Sequence, residues 1–313
     1  MTRSDNFHAK FIVNPASANG STERLWERIE QAIRKEIGEC EAVFTTGANL
    51  ATGLAREALD DGYEMVVAVG GDGTVNEVVN GFFDSGAPVN PDAVLGVICR
   101  GTGCDFIKTM NIPKEIEGAV SVLKGRKVKR CDAGRVISRD STGQKKERYF
   151  VNIADFGVGG EAVARVNGTT KVFGGFVSFL YGTLTALWSY KGKNVRIKID
   201  DHYEIEKPIN SVVIANGQYF GGGMWVAPQA EVDDGLFDIL VFDDMSFWES
   251  LANIPRLYKG THLDHPKIEC LRGRTLVAES DEDVLIDVEG EDGGLLPARF
   301  EIIPSSINVK VEG

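Results

Sequence analysis

The sequence predicts an α/β domain built on a doubly wound parallel sheet, followed by a mostly antiparallel, β-sandwich-like second domain. Three observations carry this expectation. Up to about Arg130, short apolar runs alternate with segments of helical period across short links, the pattern of parallel strands joined by right-handed crossovers. Within that stretch, Met65-Val66-Val67-Ala68-Val69 is a continuous apolar run that enters Gly70-Gly71-Asp72-Gly73, reading as a strand buried on both faces. Beyond Arg130 the strand-like runs follow one another with turns between them.

At 313 residues the chain is long for a single core and suits two domains. The expected division is 1–132 for the α/β part and 133–299 for the β-rich part, with 300–313 a candidate to complete the first. Hydrophobic residues make up 43% and charged residues 26%, which is ordinary for a soluble globular protein. With 34 Lys+Arg against 46 Asp+Glu, the net charge of −12 argues against a general nucleic-acid binder. It also opposes tight adsorption to anionic membranes, while leaving room for a local basic patch to dock. The N-terminal segment lacks the apolar core of a signal peptide, and no apolar run reaches the length of a membrane span. The five cysteines form no C-x-x-C pair and are odd in number, so a reduced, cytoplasmic location is expected.

Taken in order, Ala9 to Val13 reads as the first strand, followed by the small polar loop Asn14 to Gly20 and a helix capped by Ser21. Leu25, Ile29, Ile33 and Ile37 mark one face of that helix, and Gly38 closes it. Ala42 to Phe44 is a short strand ending at Thr45-Thr46; Leu50, Leu54, Ala58 and Leu59 mark the next helix. The strand to Val69 and its glycine turn come next, and Val75, Val78, Val79 and Phe82 carry the helix after it. A further strand, Val94 to Ile98, leads into Arg100-Gly101-Thr102-Gly103-Cys104-Asp105, and a helix runs from about Lys114 to Lys124. In the second domain Tyr149–Ile153, Val195–Ile199, Ser211–Ala215, Phe237–Phe242, Thr275–Ala278 and Val284–Val288 read as strands. Helices are expected at about 172–190 and 246–258. The first carries Phe173, Phe176, Leu180, Leu184 and Leu187 on one stripe, with Phe179, Tyr181 and Trp188 beside it. Most of these aromatics are expected in the core, with a membrane-docking edge, aided by the basic run Lys124 to Arg130, as the other reading. Phe300–Ile303 and Ile307–Val311 are expected as the last strands.

The chemistry begins with the glycine turns. Glycines at the start of a helix let a ligand approach backbone N–H groups, and the helix dipole there favours an anion, above all a phosphate. Asp72 would repel phosphate, so it makes sense with a divalent cation or a transferred proton between them; the plainer reading is an aspartate bonding its own turn. Thr102 and Asp105 repeat the logic in the second loop. The loops at Asn14, Thr45, Gly70 and Gly101 all follow strands, so all four can line one crevice. In the β-rich part, Asp234 in Glu231-Val232-Asp233-Asp234-Gly235-Leu236 can hold a hard cation with nearby carbonyls, or be a solvated acidic turn. Asp287, Glu289 and Glu291 share one strand face and can act as a general base or bind a cation, or lie in solvent. His262 and His265 read as surface residues rather than ligands, and Cys99 and Cys104 as small packing residues.

Together these motifs resemble the diacylglycerol kinase catalytic domain family in its soluble bacterial branch, which is related to sphingosine and ceramide kinases and more distantly to NAD kinases. Asn14-Pro15, Gly70-Gly71-Asp72-Gly73-Thr74-Val75-Asn76-Glu77, Gly101-Thr102-Gly103-Cys104-Asp105-Phe106, Asn216 to Met224, Asp234-Gly235-Leu236 and Glu289-Gly290-Glu291 occur in that family's order along nearly the whole chain. The resemblance implies a lipid kinase with ATP and Mg²⁺ between the two domains and a lipid hydroxyl as acceptor, most simply diacylglycerol. The alternatives are a kinase for a sphingoid base, phosphatidylglycerol or NAD, or a nucleotide-binding regulator without turnover. It further implies that Asn14, Thr45, Gly70, Gly71, Asp72, Gly73, Thr74, Val75, Asn76 and Thr102 serve the nucleotide, that Asp72 organises the catalytic Mg²⁺, and that Glu231, Asp234 and Leu236 hold a structural one. Glu291 would take the hydroxyl proton with Glu289 beside it. Membrane contact would be transient, the location cytoplasmic or peripheral, and a homodimer is left open. The sequence departs from the family's pattern where Cys99 replaces a usual Pro, Cys104 a usual Asn and Glu289 a usual Asp.

Overall fold

In the computed structural model, residues 8–168 and 175–313 are described, and the side chains of 167–180 are left aside. The chain forms two compact units, Met1–Cys131 with Ser305–Gly313, and Asp132–Pro304.

The first unit is a parallel sheet with helices on both faces. Its elements are β1 (Ala9–Val13), α1 (Ser17–Glu36), β2 (Glu41–Phe44), α2 (Ala51–Asp60), β3 (Met65–Gly70), α3 (Asp72–Gly81), a two-strand hairpin β4 (Phe83–Asp84) and β5 (Ala87–Pro88), β6 (Val94–Cys99), α4 (Asp105–Thr109) and α5 (Ile116–Lys124). Every residue of β3 and β6 is buried, as expected of strands covered on both sides. Ile29 and Ile33 of α1 and Ala119, Val120 and Leu123 of α5 pack with Phe11, Val67 and Val69 in one apolar cluster. The α2 and α3 helices pack on one another and against β1 and β3. The regular part of α1 begins at Ser21, because Ala18, Asn19 and Gly20 take left-handed backbone angles (φ 50°, 55° and 75°). The strands run in the order β2, β1, β3, β6, all parallel. That order reverses direction between β1 and β3, which is where ligands bind in such sheets.

The second unit contains most of β7 (Val128–Arg139), then β8 (Lys145–Phe150), β9 (Ile153–Gly157), α6 (Val158–Gly168), α7 (Gly175–Ser189), β10 (Lys193–Ile199), β11 (Tyr203–Ala215), β12 (Tyr219–Phe220), β13 (Met224–Trp225), β14 (Phe237–Asp243), α8 (Phe247–Lys259), β15 (Ile268–Gly273), β16 (Thr275–Glu279), β17 (Leu285–Val288) and β18 (Glu291–Lys310). Its strand pairing closes on itself, β9 to β11, β10, β16, β18, β17 and back to β9, all antiparallel. Phe150, Phe156, Phe237 and Phe300 fill the interior with Val195, Ile197 and Val288. The α8 helix opens with a reciprocal cap between Ser246 and Glu249 and closes on left-handed Gly260.

Several expectations are corrected here. The single strand expected over Tyr149–Ile153 is two, β8 and β9, because the N–H groups of Val151 and Asn152 turn aside to one Glu289 carboxylate oxygen. The α6 helix was not expected. The two closing strands are one, β18, which passes from the second unit into the first and there lays Asn308 and Val309 parallel to Val94 and Leu95. Phe173 lies outside the described residues, as do the side chains of Phe176, Phe179 and Leu180. Of the aromatics that are described, Tyr181 and Trp188 are 65% and 69% exposed rather than in the core. Cys99 and Cys104 are joined as a disulfide rather than packed as free thiols, leaving Cys40, Cys131 and Cys270 free.

Candidate functional site

In the first unit the site grows from the two glycine turns. Gly71, after β3, and Gly101, after β6, meet backbone to backbone: a Cβ on Gly101 would lie 2.7 Å from the Gly71 Cα. Only glycine permits that approach. Across the switch point, the Asn14 Nδ2 after β1 donates to the Thr74 Oγ1 at 3.0 Å, and the Asn14 N–H is held by the Val69 carbonyl at 2.9 Å. Three separate strand ends are thereby tied into one cradle at the N-terminus of α3, where free N–H groups and the helix dipole favour an anion. Thr45 is buried at the end of β2, with its N–H on the Val13 carbonyl. Thr102 stands exposed on the second loop. Val75 and Asn76 point inward, at 1% and 0% exposure, and the Val75 N–H is taken by the Gly71 carbonyl.

Asp72 faces the second loop. Its carboxylate accepts the N–H groups of Cys104 at 2.7 Å, Asp105 at 2.8 Å and Phe106 at 3.4 Å. Burial and the neighbouring Asp105 carboxylate push its pKa up, and the three N–H groups oppose that rise. Asp105 is itself buried and paired with Lys108 at 2.8 Å. Asp72 therefore joins the two glycine turns. Arg100 was not singled out from sequence. It sits on the second loop, and its Nε is buried with no hydrogen-bond partner, a cation beside a predicted phosphate cradle. The signal that marks it is its place between β6 and Gly101.

In the second unit, Val288 pairs with Glu291, so Glu289 and Gly290 form a two-residue hairpin turn. Both have positive φ, 54° and 87°, the geometry of a tight hairpin whose twist matches its strands. Glu289 does not share the face of Glu291 as an extended strand would require. Its Oε1 instead accepts the Val151 and Asn152 N–H groups at 2.7 and 2.8 Å. Below the turn, the Asp287 carboxylate accepts the Gly290 N–H at 2.7 Å. Asp287 lies directly opposite Asp155 of β9. Burial pushes Asp155 up to about 7, and burial with the Asp155 charge raises Asp287 well above the usual carboxylate range. Sequence reading missed Asp155, since only strand pairing brings it to Asp287. The turn that follows holds Glu291 half-exposed at the start of β18.

The acidic loop at Glu231 to Leu236 is held by a bond of its own and by Arg272 and Asp132. The Asp234 Oδ1 accepts the Leu236 N–H at 3.0 Å and Oδ2 is ion-paired with Arg272. Asp132, also missed from sequence, accepts the Gly235 N–H at 2.7 Å. Among the described residues no group of three or more His, Cys, Asp or Glu side chains gathers as a metal cluster. His262 is fully buried, not on the surface, with its Nε2 2.9 Å from the Val226 carbonyl oxygen and its pKa lowered by burial.

Two family descriptions match the chain in succession: the diacylglycerol kinase catalytic domain over residues 8–136 and the YegS C-terminal NAD kinase beta sandwich-like domain over 152–311. The diacylglycerol kinase of Staphylococcus carnosus is 31% identical, over 96% of this chain and 94% of its own length. That of Staphylococcus epidermidis is 30% identical, over 96% and 91%, and that of Bacillus subtilis 28%, over 96% and 95%. A crystal structure of a diacylglycerol kinase from Bacillus anthracis superposes with a TM-score of 0.72 at 20% identity, covering 99% of this chain and 98% of that one, a likeness of fold. No helix among the described residues is long and apolar enough to cross a membrane. A catalytic-domain match through the glycine cradle, a sandwich-like match through the carboxylate hairpin, and relatives at 30% identity and above over nearly the full length make the chain a member of the diacylglycerol kinase family, a lipid kinase.

Proposed function

We propose that this lipid kinase transfers the γ-phosphoryl group of ATP to the free hydroxyl of diacylglycerol, yielding phosphatidic acid and ADP. The observation that carries the nucleotide half is the cradle in the first unit, where the Asn14–Thr74 bridge and the abutting Gly71 and Gly101 turns leave helix-start N–H groups and Arg100 for the phosphates. Gly70, Gly71, Gly73, Thr74 and Asn76 would serve it, with Thr45 and Thr102 at its sides. Val75 contributes the packing that holds the helix start. The choice of acceptor is supported by the relatives, which carry the name diacylglycerol kinase.

Phosphoryl transfer asks the protein chiefly to position groups and neutralise charge. Glu291 accepts the acceptor's hydroxyl proton as the oxygen attacks the γ-phosphorus and ADP leaves. Glu289 and Asp287 keep the hairpin that presents Glu291 in one conformation. Mg²⁺ bound with the triphosphate would supply charge neutralisation, and Asp72, fixed by three N–H groups, is the carboxylate that would hold it. A second Mg²⁺ on Asp234 and the Glu231 and Leu236 carbonyls would displace Arg272. Contact with the lipid surface is transient; Trp188, edge-on to Phe247, and Trp248, 70% exposed, are side chains suited to a membrane interface.

Incubation with radiolabelled ATP and Mg²⁺, with diacylglycerol, sphingosine, ceramide and phosphatidylglycerol in mixed micelles and NAD in solution, tests the reading. Diacylglycerol is expected to label fastest. Faster labelling of another acceptor reassigns the substrate, and labelling of none removes the kinase chemistry from this chain.

A further inference from the structure

Cys99 and Cys104 bracket the second glycine loop. Cys99 is the last residue of β6, opposite Gly70, and Cys104 immediately precedes α4. Both are buried and they are bonded to each other. The four residues between them are Arg100, with its unpartnered Nε, Gly101, which abuts Gly71, exposed Thr102, and Gly103, where a Cβ would lie 3.0 Å from the Asp72 Oδ2. Cys104 takes a left-handed backbone conformation, φ 52° and ψ 47°, which side chains other than Asn and Asp seldom adopt unaided. In that conformation its N–H reaches Asp72 at 2.7 Å.

We propose that Cys99 and Cys104 are a reversible thiol–disulfide site that sets how tightly the second glycine loop holds a nucleotide's phosphates. The inference rests on the nucleotide reading given above. With the bond closed, the loop is a short covalent ring whose N–H groups and arginine are already placed, so little order remains to be imposed on binding. With the bond open, Cys104 is released from its left-handed conformation, and the Asp72 contact and the loop loosen together. Oxidation removes one proton from each thiol and two electrons in all. A low-molecular-weight disulfide receives the electrons through a mixed-disulfide intermediate and leaves as two thiols; a dithiol reductant runs the reverse. Cys40 and Cys270 compete poorly, because burial pushes the Cys40 thiol up to about 11 and raises that of Cys270, which depletes the reactive thiolate.

The full chain is equilibrated in buffers of reduced and oxidised glutathione, thiols are counted by alkylation and mass, and affinity for ATP with Mg²⁺ is measured in each state. The oxidised form is expected to bind about fivefold more tightly, and by reciprocity saturating ATP shifts the thiol–disulfide equilibrium toward the disulfide by the same factor. Cys99→Ser is expected to hold the weaker affinity at every glutathione ratio, and wild type supplies the same comparison without a substitution. Equal ATP affinity in both states, thiols that stay reduced at every ratio, or a redox response that survives in Cys99→Ser overturns the inference while leaving the nucleotide reading intact. Absence of ATP binding in both states overturns the nucleotide reading and the coupling with it.

Discussion

Asp155 and Asp287 face one another across adjacent antiparallel strands, 1% and 8% exposed. Like charges cannot both be buried at that spacing, so the pair retains a proton into the neutral range. The consequence is a pH dependence of stability whose sign is opposite to that of a paired surface carboxylate. The folded form binds the proton more tightly than the unfolded chain. Its contribution is therefore complete below the unfolded value of 3.8 and is lost as pH rises toward about 7. Asp155→Asn is expected to flatten the loss between pH 4 and 7, by at most roughly 1.4 kcal/mol per pH unit. Urea titrations of both proteins across that range measure it; parallel profiles would remove the shared proton.

Glu289 and Glu291 are two residues apart, and different work is proposed for each: Glu289 anchors backbone and Glu291 takes the acceptor's proton. Glu289→Ala leaves the Val151 and Asn152 N–H groups without their acceptor, and is expected to destabilise by about 1–3 kcal/mol. Glu289→Gln keeps an acceptor oxygen and recovers part of that loss. Glu291→Gln is expected to leave the denaturation midpoint nearly unchanged while lowering phosphoryl transfer by roughly 10²–10⁴-fold. Midpoints and initial rates on the same preparations separate the two roles.

Asp72→Asn trades a carboxylate for an amide that has one acceptor oxygen. Three N–H groups then compete for it, so α4 loosens as transfer falls. A destabilisation of about 1–3 kcal/mol is expected together with a large loss of transfer. Hydrogen exchange at Cys104 to Phe106 would report the loosening; unchanged protection there would separate Asp72 from the second loop.

Gly101→Ala places a methyl group 2.7 Å from the Gly71 Cα, where backbone has to move. A cost of about 1–3 kcal/mol is expected, with weakened ATP binding because both glycine turns shift. Thr102→Ala, on the exposed side of the same loop, is expected to leave stability within about 0.5 kcal/mol. Calorimetric binding and thermal melts distinguish packing of the turns from contact with the nucleotide.

Much of this architecture was legible in local pattern. Met65 to Val69 reads as a covered strand, and the helix period resuming at Val75 points to a turn at the glycines between. Gly38, left-handed just past the end of α1, marks that helix end because capping is local chemistry. Long-range pairing left no such trace. Nothing near Asp155 announces Asp287, 132 residues along, and Glu289 became a backbone anchor because the chain folds Val151 and Asn152 onto it. The two cysteine departures, separate in the linear chain, are one covalent feature in space. Residue order specifies periodicity, caps and turn types, each an interaction across a few neighbours. The protonation of the carboxyl pair, the use of Glu289 and the tie on the second loop depend on groups that meet only when strands close, since burial and proximity have no meaning before then.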